Sequence, residues 1–154
     1  MIDEIDVKIL KYLQEDARMP NAEIARRLNM APSGILERIR KLEKNGVIKE
    51  YKTHLDPKAV DFGLTAFVAV KTNEKRDRWS VNEILAKVPE VLEVHDVAGE
   101  ECYLIKLRTR DTETLYQLLR DTFGGIPAVA ATRTLIVLRT FKETTDLPIK
   151  EKEK

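Results

Sequence analysis

The sequence predicts an α+β protein in which a helix-turn-helix, winged-helix-like domain precedes a ferredoxin-like βαββαβ domain. Three observations predict it. Apolar residues recur at helical spacing in three short segments before Asn45-Gly46. From Thr65 onward the pattern changes to β-rich runs, and amphipathic segments divide these in the order strand, helix, strand, strand, helix, strand. The implied boundaries are 1–60 for the helical domain with a connecting strand, 61–142 for the second domain and 143–154 for a charged, frayed tail.

Ile5, Ile9, Leu10 and Leu13 define a first helix from Glu4 to Glu15, with Asp3 as N-cap and Glu4 and Asp6 placed favourably for the helix dipole. Pro20-Asn21 starts a second, about two turns long, with Ile24, Ala25 and Leu28 on one face. After the turn Asn29-Met30-Ala31, Pro32 suits a first helical position. Ile35, Ile39 and Leu42 then form the buried stripe of a third helix, closed by Gly46 as a left-handed cap. Val47, Ile48, Tyr51 and Leu55, interleaved with charges, read as a small wing or a connecting strand, and Asp61-Phe62-Gly63 as the hinge.

In the second domain Thr65 to Lys71 is a strand. Ser80-Val81-Asn82-Glu83 is a capping box opening a helix through Ile84, Leu85 and Val88 that Pro89 ends, and Trp79 packs in the loop before it. Val91–Val97 and Tyr103–Leu107 form a hairpin hinged at Gly99. Asp111 caps a helix carrying Leu115, Leu118 and Leu119, and Gly124-Gly125 with Pro127 release the chain into a last strand, Thr132 to Phe141. With both helices on one face of the sheet, the other face stays bare. Val68, Val70, Leu135 and Val137 supply apolar side chains to both faces, which predicts a partner subunit.

A net charge of +1 argues against holding nucleic acid by bulk electrostatics. Its distribution is uneven, however. Arg26, Arg27, Arg38, Arg40, Lys41, Lys44, Lys49 and Lys52 face only Glu37, Glu43 and Glu50 in that stretch, which is either a local basic footprint or a solvated helix face. The single cysteine, Cys102, rules out an internal disulfide or paired-thiolate metal site and reads as a small hydrophobe. His95 reads as a strand histidine held by packing. No apolar run approaches the roughly 20 residues of a membrane span, so the chain reads as cytoplasmic, and no cofactor is called for.

Helix three is the expected recognition element for duplex DNA. Its inward stripe leaves Ser33, Gly34, Glu37, Arg38, Lys41 and partly Leu36 and Arg40 facing away, as a major groove requires. Arg38 is expected to read guanine through two parallel hydrogen bonds, Glu37 to accept from cytosine or hold Arg38, and Leu36 to touch a thymine methyl. Arg26, Arg40, Lys41 and Lys44 suit phosphates. Gly34 costs about 1 kcal/mol relative to alanine inside a helix, which points to close approach of helix two or of DNA.

The blocks Asp3-Glu4-Ile5-Asp6, Asn21-Ala22-Glu23-Ile24-Ala25, Met30 to Ser33, Leu36 to Glu43 and Gly46-Val47-Ile48 fall in order. They are followed by Leu55-Asp56-Pro57, His95 to Gly99, Tyr103-Leu104 and Thr132-Arg133-Thr134. Together they resemble the Lrp/AsnC, or feast/famine, family of bacterial and archaeal regulators from Asp3 to about Lys142. The resemblance implies contact with DNA also by Asn21 and Ala22, homodimers that stack into octamers through the ferredoxin-like domain, and amino acids bound between dimers. It maps an effector site to Gly99, Glu100, Glu101, Cys102, Tyr103, Thr132 and Thr134, positions whose chemistry ordinary turns and strands also explain. Two positions depart from the family pattern: Cys102 stands where an aspartate commonly precedes the tyrosine, and Ala31 where a serine usually caps the recognition helix. Two other readings on this fold are a haem-pathway decarboxylase-like enzyme and an architectural DNA packer. Against the enzyme, no nucleophile–base pair, metal-ligand spacing or glycine-rich phosphate loop is present.

Overall fold

The computed structural model describes residues 2–73 and 80–150. Contacts divide the chain into a helical unit, running through Thr53 and joined by the tail from Glu143, and a sheet unit, His54–Lys142. The division thus falls seven residues earlier than the sequence suggests, and the tail joins the helices.

The helical unit contains α1 (Glu4–Glu15), α2 (Asn21–Leu28) and α3 (Pro32–Lys44). Asp3 and Asp6 form a reciprocal capping box that starts α1. Neither Pro20 nor Ala31 gives α2 or α3 a side-chain cap. Ile9, Ile24, Ala25, Ile35, Ile39 and Leu42 are buried together, so the apolar stripes read from spacing do meet. Gly46 takes φ +68°, and the Val47 amide reaches back to the Leu42 carbonyl at 2.9 Å, closing α3.

The expected wing or connecting strand is not formed. Among the described residues 47–55 carry no strand pairing; Val47, Tyr51 and Leu55 are exposed, and Ile48 packs against the helices. Alternation alone does not make a strand without a neighbour to supply hydrogen bonds. The segment is instead fastened to α3 by Tyr51, whose hydroxyl donates to Glu43 at 3.0 Å.

The tail also departs from expectation. The Gln14 side-chain amide donates to the Leu147 carbonyl (3.0 Å) while its oxygen accepts the Leu147 amide (2.8 Å), so residues near 147 are clasped to α1 rather than frayed.

The sheet unit runs β1 (Leu64–Thr72), α4 (Ser80–Leu85), β2 (Val91–Asp96), β3 (Tyr103–Thr109), α5 (Thr112–Gln117) and β4 (Val129–Ile136), with the helix after α5 continuing as a π-turn, Leu118–Phe123. The order β2-β3-β1-β4, antiparallel throughout, is the βαββαβ arrangement expected. Ala66, Val68 and Val70 pair with Leu107, Ile105 and Tyr103, and these side chains share one buried cluster with Val81, Leu85, Leu115 and Phe123.

Three boundaries differ from the sequence reading by three residues or more. The helix α4 stops at Leu85, before Val88 and Pro89, which lie in the following turn. Its capping by Ser80 and the packing of Trp79 fall on side chains outside the described residues. The last strand begins at Val129, opposite Thr72, and ends at Ile136 instead of Phe141. Its neighbour β1 begins at Leu64, so the pairing runs out just after the Val137 amide bonds to Thr65, and Leu138 is 97% exposed.

Candidate nucleic-acid interface and effector loop

The outer surface of α3 follows from its buried stripe. At about 100° per residue, Ser33, Glu37, Arg40 and Lys44 lie opposite Ile35, Ile39 and Leu42, and all four are exposed, as are Lys41 and Leu36. Gly34 is half-buried. A Cβ there would touch only the Met30 side chain, at an ordinary 3.7 Å, so α2 does not require a glycine at this position.

Arg38 is placed differently. It lies about 60° round the helix from Ile35, on the flank that meets α1, and its side chain is 29% exposed. Its Nη1 donates to Asp3 Oδ2 at 2.6 Å and to Asp6 Oδ1 at 2.7 Å. The guanidinium expected to read guanine is therefore held by two carboxylates from the first turn of α1. The Asp6 amide, followed by the Arg38 guanidinium, holds the Asp3 carboxyl below its ordinary value. Arg38, Asp6, Leu42, Lys41, Asn45, Val47 and Ile2 line an open cleft of about 290 Å³ along this flank.

On α2, Asn21 is half-buried and Ala22 exposed. Arg26 is exposed, yet its Nε and Nη2 both donate to Glu23, and Arg27 Nε donates to the same carboxylate at 2.7 Å. These bonds, Arg26 first, bring Glu23 down to about 2. Arg27 also lies over the Tyr12 ring, 5.1 Å from its centroid. The bracing role of Glu23 is encoded locally, in its i+3 and i+4 spacing to the two arginines. The Asp3–Arg38 contact spans 35 positions and leaves no local signal.

In the sheet unit, Gly99 sits at φ +144°, a conformation that favours glycine, in the turn between β2 and β3. Glu101 reaches the last strand through Arg133 Nη2, which donates to its Oε1 at 2.8 Å, and that contact holds the Glu101 carboxyl below its usual range. The Cys102 amide donates to the Val70 carbonyl, and its Sγ accepts from the Thr72 hydroxyl at 3.3 Å. Tyr103 is buried in the core opposite Val70, which also pairs with Thr132; Thr134 pairs with Val68. The turn and the start of β4 thus share one end of the sheet. Side-chain alternation puts the expected residues Tyr103, Thr132 and Thr134 together on the helix-covered face, while Arg133, the partner of Glu101, belongs to the other. Glu100 lies in the same turn, without a role the geometry reveals. Arg133 and Thr72 were not anticipated from sequence.

The open face carries Phe67, Ala69, Leu104 and Leu135, the last 54% exposed, beside a cluster in which Glu93 accepts from Lys106 and bonds His95, each at 3.1 Å. Among the described residues no group of three or more His, Cys, Asp or Glu side chains is placed to hold a metal ion, and no helix is long and apolar enough to cross a membrane.

Two family models match the chain: a winged helix-turn-helix DNA-binding domain over residues 2–49 and the Lrp/AsnC ligand binding domain over residues 65–147. The chain belongs to the Lrp/AsnC family. It is 46% identical over 150 residues to the HTH-type transcriptional regulator FL11 of Pyrococcus horikoshii, covering 97% of each chain. It is 36% identical to the leucine-responsive regulatory protein of Escherichia coli, covering 97% of this chain and 92% of that one. Among solved structures, a transcriptional regulator from Neisseria meningitidis in complex with L-methionine has a TM-score of 0.90 at 34% identity, with 96% and 97% of the two chains covered. A feast or famine regulatory protein from Mycobacterium tuberculosis, also complexed with L-methionine, has a TM-score of 0.89 at 31% identity, with 97% and 100% covered. This Lrp/AsnC protein is a transcriptional regulator with a DNA-binding helix-turn-helix and a ligand-binding domain, and the names of its relatives point away from an enzyme.

Proposed function

We propose that this regulator reads duplex DNA in a sequence-specific manner by laying α3 in the major groove. Glu37 and Leu36 face base edges, while Arg26, Arg40, Lys41 and Lys44 with the starts of α2 and α3 meet phosphates. The observation that carries the reading is the composition of the outer α3 face, polar and cationic over a fully apolar inner stripe. The first turn of α2, at Asn21 and Ala22, adds a dipole end with no side-chain cap, suited to a phosphate. The bare face of the sheet, through Phe67 and Leu135, pairs two copies into a homodimer, and dimers assemble further toward an octamer. An amino acid binds where the Gly99–Tyr103 turn meets β4, the class supported by the L-methionine complexes of two relatives. The protein acts in the cytoplasm.

Selection of duplexes from a random pool tests the reading. A pseudo-palindrome with half-sites separated by multiples of about 34 Å is expected. Arg40→Ala and Lys44→Ala should each lower the salt dependence of binding by about one unit, and Glu37→Gln should relax preference at one base pair. An unselective protein, or wild-type binding by all three variants, refutes it. Calorimetry with each amino acid tests the effector class, and silence across the set refutes it.

A further inference from the structure

We infer that Arg38 is a positioning residue rather than a base reader: clamped by Asp3 and Asp6, it sets the rotation of α3 and so the face that Glu37, Arg40 and Lys41 present to DNA. The inference rests on the reading that α3 enters the groove.

The clamp is a closed set of hydrogen bonds in which every carboxylate oxygen is engaged. Asp3 accepts the Asp6 amide at Oδ1 (2.8 Å) and Arg38 at Oδ2 (2.6 Å). Asp6 accepts Arg38 at Oδ1 (2.7 Å) and the Asp3 amide at Oδ2 (3.2 Å). The two carboxylates that cap α1 are therefore the same two that aim the guanidinium, each with one oxygen on a backbone amide and the other on Arg38. Asp6 is buried, and among the described residues Arg38 is the cation that pairs with its carboxylate.

The surrounding packing makes the clamp decisive. The three buried residues of α3 fix how deeply the helix sits, but a helix resting on a narrow apolar stripe can still roll about its own axis. Ile9 of α1 packs on the buried stripe, but beside that contact, at Arg38, lies the open cleft bordered by Ile2 and Val47, both partly exposed. The charged clamp spans that gap. Two carboxylates on one cation also leave no surplus positive charge for a phosphate, and reading a guanine would require the guanidinium to abandon both partners.

The test uses full-length Asp6→Asn, Arg38→Met, the double variant and Arg40→Ala. Each is titrated with the duplex that the wild-type protein selects and with a random duplex of equal length. An amide has one oxygen where Asp6 uses two, so Asp6→Asn must break one contact although Asp6 is remote from any base. The expected result for Asp6→Asn and for Arg38→Met is a loss of about tenfold on the selected duplex, a smaller loss on the random one and an unchanged salt slope, with no additional loss in the double variant, whereas Arg40→Ala lowers the salt slope by about one. Base preferences should weaken at several positions together.

Wild-type binding by Asp6→Asn beside a weakened Arg40→Ala overturns the clamp alone. Loss of preference at a single base pair in Arg38→Met, or a salt slope reduced by about one, also overturns it by making Arg38 a reader or a phosphate ligand. Wild-type binding by Arg40→Ala as well removes the groove reading, and the clamp's role in recognition with it. Should Asp6→Asn melt below the assay temperature, Asp3→Asn gives the same comparison from a partner that is half exposed.

Discussion

Gly34→Ala separates what a helix needs from what DNA needs. Gly34 lies in the first turn of α3, its amide bonded to the Ala31 carbonyl at 3.0 Å, and its backbone is helical rather than left-handed. A new methyl group meets only Met30 Cε at 3.7 Å, so neither clash nor backbone strain opposes it. The gain is then the ordinary one for replacing a helical glycine, about 0.5–1 kcal/mol, and the low end applies in a first turn. For a unit of this size that corresponds to a rise of roughly 2–8 °C in Tm. Thermal melts followed by circular dichroism measure it, and titration with the selected duplex measures the other half. If a bare Cα lets the DNA backbone approach, the more stable variant should bind DNA several-fold more weakly. An unchanged or lower Tm would refute the packing argument. A higher Tm with wild-type DNA affinity would refute close approach and leave Gly34 without a role in recognition.

The sheet core predicts that Phe123→Ala, at a fully buried position ending the π-turn, costs about 3–5 kcal/mol, read as a lower urea midpoint with unchanged slope. Acid should destabilise the protein as pH falls from the ordinary carboxylate range toward 2. Glu23 (through Arg26, then Arg27) and Asp111 (through the Thr114 hydroxyl, then its amide) are both brought down to about 2, so in that window the unfolded chain binds more protons; in Glu23→Gln/Asp111→Asn the decline should be shallower, and an unaltered melting profile would contradict this. Gln14→Ala should speed hydrogen exchange at the Leu147 amide, with little change in overall Tm because the clasp is exposed; retained protection would show that the tail is held by something else. Leu135→Glu, on the bare face opposite Phe67, should shift sedimentation toward monomer, and an intact assembly would move the dimer interface elsewhere.

Periodicity made most of the fold legible. Ile9, Ile24, Ile35, Ile39 and Leu42 announce their burial by spacing, and Asp3, Pro32, Gly46 and Asp111 mark element ends through local chemistry that tertiary contacts do not override. What was misread depends on neighbours. Residues 47–55 alternate like a strand but have no strand beside them, and Leu138 and Phe141 continue an apolar pattern past the point where β1 can pair. The clasp at Leu147 is a contact between a side chain and a distant backbone, and nothing in the tail's composition encodes it. At the effector loop, Gly99 is legible because only its backbone conformation matters, whereas Glu101 acquires meaning from Arg133, 32 positions away.

Arg38 shows why the limit falls where it does. Residues on the centre of a helix face are inside or outside without ambiguity, and the centre of α3 was assigned correctly on both sides. A flank residue is decided by what the neighbouring helix offers, and a long cation can serve either surface. For a helix that must present charged groups to a polyanion, this ambiguity carries a functional consequence: the outer face cannot contribute to its own placement without being consumed by it. Rotation must therefore be fixed from the flanks, and on one flank α1 supplies Asp3 and Asp6 for the purpose. Glu23 does the equivalent on α2, holding Arg26 and Arg27 at a defined place. In both cases an acidic residue, unfavourable for DNA on charge alone, keeps the cations around it in order.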